Sequence, residues 1–269
     1  MGKPKTKEEI INHKNHAISN LSAFLDKLIE TPSDEKRATL ISYWLNDFQN
    51  YLSQEKTFDA SKIKSYKRGD VIKVNLGFNI GSEQGGLRYA IVLDKANKHN
   101  SKTITVVPLT SQKEEKKVYE RDIVLGCELY NRLKAKYDSA VDELAKKRRI
   151  CEENFCKTNQ ILTSLLNLSH DEKSDKVNIE QAIMHTQEVL DAQGEALSLI
   201  HEEEHNLEKI KTELHRMKDG SIAKIEQITT ISKQRIYDPK KSSDVLSGIR
   251  FSDAAMDKIN EKIKELYIF

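Results

Sequence analysis

The most informative segment of the chain reads Gly81-Ser82-Glu83-Gln84-Gly85-Gly86-Leu87-Arg88. The run before it, at 70–76, alternates polar and apolar residues as a half-buried strand does. The run after it, at 89–93, is short and apolar, as suits a buried strand. The segment is therefore predicted to be the loop of a β-hairpin. Its glycines would let backbone N–H groups approach an anion, and its arginine suits a phosphate. A glycine-rich turn ending in a solvated arginine is the plainer interpretation.

Four blocks of the chain occur in the same order as in the MazF/PemK family, the toxins of bacterial toxin–antitoxin pairs. They are Gly69-Asp70-Val71, the segment 81–88, Val106-Val107-Pro108-Leu109-Thr110-Ser111 and Glu226-Gln227-Ile228-Thr229-Thr230-Ile231. The resemblance covers 67–126 and 220–269, which is less than half of the chain. The chain departs from the family at Tyr89, where proline is usual, and at Thr229, where arginine is frequent. The first departure puts the cleavage specificity in doubt rather than the activity.

The resemblance implies an α+β fold, with a small SH3-like β-barrel (MazF/CcdB-like) formed by 67–126 and 220–269. It also implies a type II toxin that cuts single-stranded RNA, such as mRNA, within a short base sequence. This endoribonuclease chemistry uses neither metal nor cofactor: the 2′-OH of the RNA attacks the adjacent phosphate and leaves a 2′,3′-cyclic phosphate. The family further implies a homodimer that is neutralised by a separate antitoxin protein.

The resemblance also implies the site residues. Arg88 and Thr110 match the catalytic arginine and threonine of the family. Arg88 is expected to bind the non-bridging phosphate oxygens, because its high pKa makes it a poor base. Glu83 is the nearby carboxylate that could act on the 2′-OH. The remaining residues expected to contact RNA are Ser82, Gln84, Gly85, Gly86, Tyr89, Ser111 and Gln112.

The charge distribution favours the same segments as an RNA-binding domain. The net charge of the whole chain is +2, but it is +6 over 61–126 and +2 over 220–269, against −5 over 127–219 and −1 over 1–60. A basic domain attracts a polyanion by neutralising its phosphates. A charge of this size spread over a whole domain is also an ordinary surface, so the distribution supports RNA binding without establishing it.

Helical patterns account for the rest of the chain. Residues 6–30 and about 34–55 predict an N-terminal helical hairpin within 1–60, separated by the break at Pro32. Residues 127–219 predict an insertion of two helices of about 40 residues that close on each other as an antiparallel coiled coil. Its second helix carries two apolar rows at heptad spacing. These rows are Ile183, Leu190 and Leu197, and Ile200, Leu207 and Leu214.

Other motifs exclude further classes of function. His201-Glu202-Glu203-Glu204-His205 matches the zinc-protease string, but its flanks predict a charged helix surface, so no metal site is expected. The three cysteines lack metal-ligand spacing and suggest reduced thiols in a cytoplasmic protein. No apolar run is long enough for a membrane span.

Two other functions remain open on the sequence. The first is a nucleic-acid- or protein-binding module that has lost catalysis and recruits partners through the coiled coil. The second is a gyrase poison, because the related CcdB toxins share the fold. Since the loop at 81–88 matches the RNase branch of the family, the endoribonuclease is the leading hypothesis.

Overall fold

The computed structural model describes residues 6–112, 118–169 and 176–268, with only the backbone for 165–169 and 176–182. The predicted helices all form. They are α1 (Lys7–Ile29), α2 (Glu35–Gln54), α3 (Glu128–Ser169), α4 (Lys176–Arg216) and α5 (Asp253–Tyr267). The strands are β1 (Val71–Asn75), β2 (Leu87–Val92), β3 (Thr103–Ser111), β4 (Asp122–Gly126), β5 (Ser221–Lys224), β6 (Thr229–Ser232) and β7 (Ile236–Asp238). The chain therefore has the predicted α+β character.

The strands form one antiparallel sheet. Its order is β4-β5-β3-β2-β1-β7, and β6 pairs with β3 beside that path. β5, β6 and β7 follow the long insertion and return to pair with strands that precede it, so the two flanking segments make one sheet. In the described parts of the chain, the terminal strands β4 and β7 do not pair with each other. The sheet is open, and closure into an SH3-like barrel stays a prediction.

β3 is the strand that joins the two halves of the sheet. On one side it pairs with β2. On the other side it pairs with β6 up to Val106 and with β5 from Leu109 onward. Pro108 lies at this change of partner, where a residue without an N–H disturbs the ladder least. The strand therefore continues through Pro108 to Ser111.

The sheet is buried on both faces, as the apolar run after the loop predicts. Along β2, Ile91 belongs to one core cluster, and Ala90 and Val92 belong to the other. The alternation follows the two-residue period of a strand. The cluster around Ile91 includes residues from the first turns of α3, the last turns of α4 and α5. They are Leu129, Leu133, Ile210, Met217, Ala255, Met256 and Ile259. The base of the helical insertion is thus part of the domain core.

α3 and α4 pack against each other in antiparallel order. Lys147 pairs with Glu203 and Arg148 with Glu204, while Gln193 Nε2 donates to Thr158 Oγ1 at 2.7 Å nearer the tip. Residues farther along α3 thus contact residues nearer the start of α4. With 42 and 41 residues, the helices each span roughly 60 Å. The pair forms a long hairpin that leaves the sheet between β4 and β5.

One of the two predicted apolar rows does not lie in the helix seam. Ile183, Leu190 and Leu197 are exposed, whereas Ile200 is buried. The seam continues from Ile200 at heptad spacing through Gln193 to Thr186, which is also buried. The prediction that the row of Ile183 lies between the two helices is therefore wrong, because this row is on an exposed face of α4. The outer seam is held in part by a polar contact, which a search for apolar rows does not detect.

The N-terminal helices meet at their turn. Leu28, Ala38 and Ile41 form a small cluster there with Phe78, whereas Ile11 and Ile18 of the predicted apolar face of α1 are exposed. α2 instead packs against the sheet domain. The Trp44 ring lies 5.3 Å from the Arg235 guanidinium and also covers Gly77, where an added Cβ would come within 2.8 Å of the ring. Trp44 is thus a packing residue, as the sequence favours.

The core position of the hairpin base yields a prediction about stability. Leu133 is fully buried, and Leu197 is 57% exposed farther out on the same hairpin. Leu133→Ala should lower the free energy of unfolding by about 2–5 kcal/mol, since it leaves a cavity in the core. Leu197→Ala should change it by about 0.5 kcal/mol or less. Urea unfolding followed by circular dichroism measures both. Equal losses would contradict a core that includes the hairpin base.

Candidate active site

Arg88 stands at the start of β2, directly after the glycine loop. It is exposed, and its Nε donates to the Gly85 carbonyl at 2.9 Å. The contact holds the stem of the side chain against the loop. Gly86 has a φ of +76°, which favours glycine. A Cβ at Gly85 would lie 2.8 Å from the Gly77 carbonyl oxygen. The two glycines therefore let the loop fold closely against the preceding segment and present Arg88.

The loop does not offer the anion concavity that its glycines suggest. The N–H of Glu83 donates to the Ile80 carbonyl, that of Gln84 to the Gln227 side chain, and that of Gly86 to the Gly77 carbonyl. These three donors are used within the protein, and a backbone anion site at the loop stays a prediction. The arginine remains as the cationic group that the loop presents.

Thr110 and Ser111 meet Arg88 at the end of β3. Ala90 of β2 lies opposite Pro108 of β3, so two residues further the antiparallel register brings Arg88 and Thr110 to the same edge. Arg88, Tyr89, Thr110 and Ser111 line one cavity of about 110 Å³. The structure thus brings together the two residues that the resemblance implies as catalytic.

The end of α4 and the start of β5 complete the same cavity. Lys73 of β1 also lines it, together with Arg216, Lys218 and Ser221. With Arg88, the cavity therefore has four cationic side chains in its lining. Such a set of donors favours an anionic ligand. The arrangement can bind a phosphate and stabilise negative charge that develops on its oxygens.

Glu213 of α4 is tied to two residues of this cavity. Its Oε1 lies 2.5 Å from Lys73 Nζ and also accepts a hydrogen bond from the Tyr89 hydroxyl. Burial raises the pKa of Tyr89 well above its usual value, and the Glu213 carboxylate adds to that shift. Tyr89 is therefore a protonated donor rather than a base. It lies beneath Lys73, whose Nζ is 5.3 Å from its ring centre. Its expected contact with RNA stays a prediction.

Glu83 and Gln84 lie elsewhere. Both line a neighbouring pocket with Glu226, Gln227 and Arg235, and neither lines the cavity of Arg88. The Glu83 carboxylate accepts a hydrogen bond from the Ile80 N–H at 3.4 Å. Sequence proximity to Arg88 had suggested a shared site. The side chains separate because the loop between them turns at its glycines.

The other predicted contact residues border the loop or the strand end. Ser82, Gly85 and Gly86 stay in the loop, with Ser82 and Gly86 exposed. Gln112 follows β3, and its N–H donates to the Gly220 carbonyl at 2.8 Å. These residues lie at the rim of the region, outside the lining of the cavity.

Sequence reasoning missed Lys73, Glu213, Arg216 and Lys218. A signal was present for Glu213, because it lies three residues after Ile210 and four before Met217. Both of these are buried in the core, and the i, i+3, i+7 spacing puts the carboxylate on the same helix face. Arg216 and Lys218 have no comparable signal in their sequence pattern.

The zinc-like string lies on the outer surface of α4. His201 is exposed and faces Glu204 at 3.5 Å. In the described residues, no group of three or more His, Cys, Asp or Glu side chains could hold a metal ion. The helices described here also include none that is both long and apolar enough to cross a membrane.

Comparison with known proteins identifies the part of the chain that holds Arg88 and Thr110. Residues 67–153 match the model of the family described as the PemK-like, MazF-like toxin of type II toxin–antitoxin systems. The match starts just before β1 and extends into α3, and it does not include 220–269. No curated protein matches the chain. The chain thus carries, at residues 67–153, a domain of the PemK-like, MazF-like toxin family of type II toxin–antitoxin systems.

Proposed function

We propose that the protein is a type II toxin that acts as a metal-independent, sequence-specific endoribonuclease on single-stranded RNA. The observation that carries the proposal is the cavity shared by Arg88 and Thr110, both of which lie within the region matched to the toxin family. The neighbouring strands β2 and β3 supply the guanidinium of Arg88 and the hydroxyl of Thr110. Lys73, Arg216 and Lys218 add positive charge around them.

In the proposed reaction the ribose 2′-oxygen bonds to the adjacent phosphorus while the bond from phosphorus to the 5′-oxygen breaks. A base takes the proton of the 2′-OH, and the departing 5′-oxygen gains a proton. The products are a 2′,3′-cyclic phosphate and a 5′-OH end. Negative charge grows on the non-bridging oxygens, and Arg88 stabilises it while remaining protonated. Thr110 orients the phosphate through its hydroxyl group.

The position of Glu83 changes the role that we assign to it. Because it lies in the neighbouring pocket with Gln84, we propose that both residues contact nucleotides that flank the cleaved phosphate. Glu213 is no free base either, since its Oε1 already accepts from Lys73 and Tyr89. The base in this proposal therefore lies outside these two carboxylates.

The resemblance to the family also supports a proposal about the domains and the assembly. We propose that 67–126 and 220–269 form an SH3-like barrel, that 1–60 is a separate N-terminal hairpin, and that 127–219 is an inserted antiparallel coiled coil. We also propose a cytoplasmic homodimer that is neutralised by a separate antitoxin protein. The strands on both sides of the insertion pair in one sheet, which supports this division.

A non-catalytic binding module is the second candidate, and one observation favours it. The outer part of the hairpin exposes large apolar side chains, among them Phe155, Ile183 and Leu197. A surface of this kind suits a protein partner. In that case the cavity would bind RNA without cutting it.

The first test is cleavage of a long RNA of mixed sequence in the presence of EDTA. Arg88→Ala should lower the cleavage rate about 100–1000-fold, because it removes a donor to the developing charge. Arg149→Ala is the matched control, since Arg149 is exposed on α3 and pairs with Glu153. Mapping of the cut ends should show one short motif and cyclic phosphates.

Each failure of this test has a definite meaning. Cleavage by Arg88→Ala at the wild-type rate would contradict the assigned site. No cleavage by folded wild-type protein would favour the binding module. Cleavage that needs added metal would show that the chemistry is different.

The pocket of Glu83 yields a second prediction. Glu83→Gln should leave kcat and its pH profile close to those of the wild type, because the carboxylate lies outside the Arg88 cavity. It should raise KM, since a contact to flanking RNA is altered. Steady-state kinetics on a short RNA with the mapped motif measure both. A collapse of kcat with loss of the acidic limb of the pH profile would restore Glu83 as the base.

A further inference from the structure

A second and larger cavity adjoins the one that holds Arg88. It has a volume of about 460 Å³, in the range of pockets that bind small molecules. Lys73 and Arg216 line both cavities, so the two are direct neighbours. The wall of the second cavity is formed mainly by the last turns of α4 and by β7. The helical insertion therefore contributes to the surface next to the candidate active site.

The cavity wall includes an aromatic ring that is open to solvent. Tyr237 of β7 lines the cavity and is 66% exposed. Lys73 Nζ lies 5.9 Å from the centre of its ring, between this ring and that of Tyr89. An exposed aromatic face beside a cationic group is the combination that binds unpaired nucleotides, since the ring stacks on a base and the cation attracts the phosphate.

The carboxylates of this cavity already have partners. The Glu213 carboxylate is bound to Lys73, and Glu208 pairs with Lys211 at 3.7 Å. The Asp238 carboxylate accepts from the backbone of Val245 and Leu246, and the Asp244 carboxylate from that of Lys240 and Lys241. Glu208 and Glu213 are thus each paired with a lysine, and backbone N–H groups hold Asp238 and Asp244.

Arg216 is the cation at the junction of the two cavities. It is exposed in the last turn of α4 and forms no ion pair with any residue that the structure describes. Its charge is therefore available to a ligand. A phosphate bound to Arg216 could therefore link a nucleotide in one cavity to a nucleotide in the other.

We propose that the end of α4 and β7 form a second nucleotide subsite for single-stranded RNA, next to the Arg88 cavity. In it the ring of Tyr237 stacks on the base, and Arg216 binds the phosphate that links this nucleotide to the one in the Arg88 cavity. The subsite deepens the proposed function and rests on it. It makes the helical insertion part of the substrate site rather than a separate appendage.

The test measures binding without cleavage. The full-length protein is titrated into a fluorescent pool of random eight-nucleotide 2′-O-methyl RNA, which cannot undergo 2′-OH attack, and anisotropy gives the Kd. Tyr237→Ala should weaken binding about tenfold through loss of stacking, and Tyr237→Phe should restore it. Tyr43→Ala is the matched control, since Tyr43 is 68% exposed on α2.

The phosphate contact of Arg216 is tested by the salt dependence of binding. Arg216→Gln should weaken binding and reduce the slope of log Kd against log salt concentration by about 0.7, because one phosphate contact is lost. Tyr237→Ala should leave that slope unchanged. Arg149→Gln on the outer part of the hairpin is the control for charge. A reduced slope in Arg216→Gln alone would locate the phosphate contact at the junction of the cavities.

The outcomes separate this proposal from the proposed function. If the wild type cuts RNA and the Tyr237→Ala and Arg216→Gln variants bind like their controls, the subsite is wrong and the endoribonuclease stands. If the wild type binds the pool without cutting RNA and both variants bind poorly, the subsite stands and the endoribonuclease fails. If the wild type does not bind the pool, the subsite is overturned whatever the cleavage result.

Discussion

The candidate site depends on the pairing of β3 with strands from both sides of the long insertion. β3 pairs with β2, which carries Arg88, and with β5, which follows the insertion. β5 also pairs with β4, which precedes the insertion, and Gly126 lies opposite Ser221. The two ends of the helical hairpin are therefore fixed next to each other at the edge where β3 ends, one residue after Thr110. Any insertion at this point must leave and return beside the cavity.

The sequence predicts local structure well because local structure is encoded by short patterns. The two-residue alternation at 70–76 becomes β1, and the apolar run at 89–93 overlaps β2, which is buried on both faces. The long helices also form with ends close to the prediction. Arg88 and Thr110, which the resemblance implies as catalytic, line one cavity because they lie on neighbouring strands.

The misjudged features depend on geometry that a short pattern does not contain. Glu83 is five residues from Arg88, but the loop changes direction at the positive-φ Gly86 between them, and the Glu83 side chain lines another pocket. The row of Ile183 has the spacing of a seam, as does the row of Ile200, and only the partner helix selects between them. Arg216 reaches the cavity through a sheet pairing between residues nearly a hundred positions apart.

Segment charge is a poor guide to the role of the insertion. The segment 127–219 has a net charge of −5, which argues against RNA contact. Its acids are distributed along the hairpin, however, whereas Arg216 and Lys218 stand where the chain re-enters the domain. Cations are favoured at the C-terminal end of a helix because they complement its dipole. The same preference that stabilises the end of α4 thus delivers positive charge to the cavity.

The departure at residue 89 and the insertion are physically connected. Where the resembled family usually has proline after its arginine, this chain has Tyr89, and the hydroxyl of Tyr89 donates to Glu213 of the insertion. Lys73, opposite Tyr89 in the sheet, binds the same carboxylate oxygen. A proline could not make this contact, because it has neither the ring nor the hydroxyl. Tyr89 and Lys73 therefore hold the last turns of α4 against the strand that carries Arg88, and the tyrosine at this position ties the insertion to the candidate site.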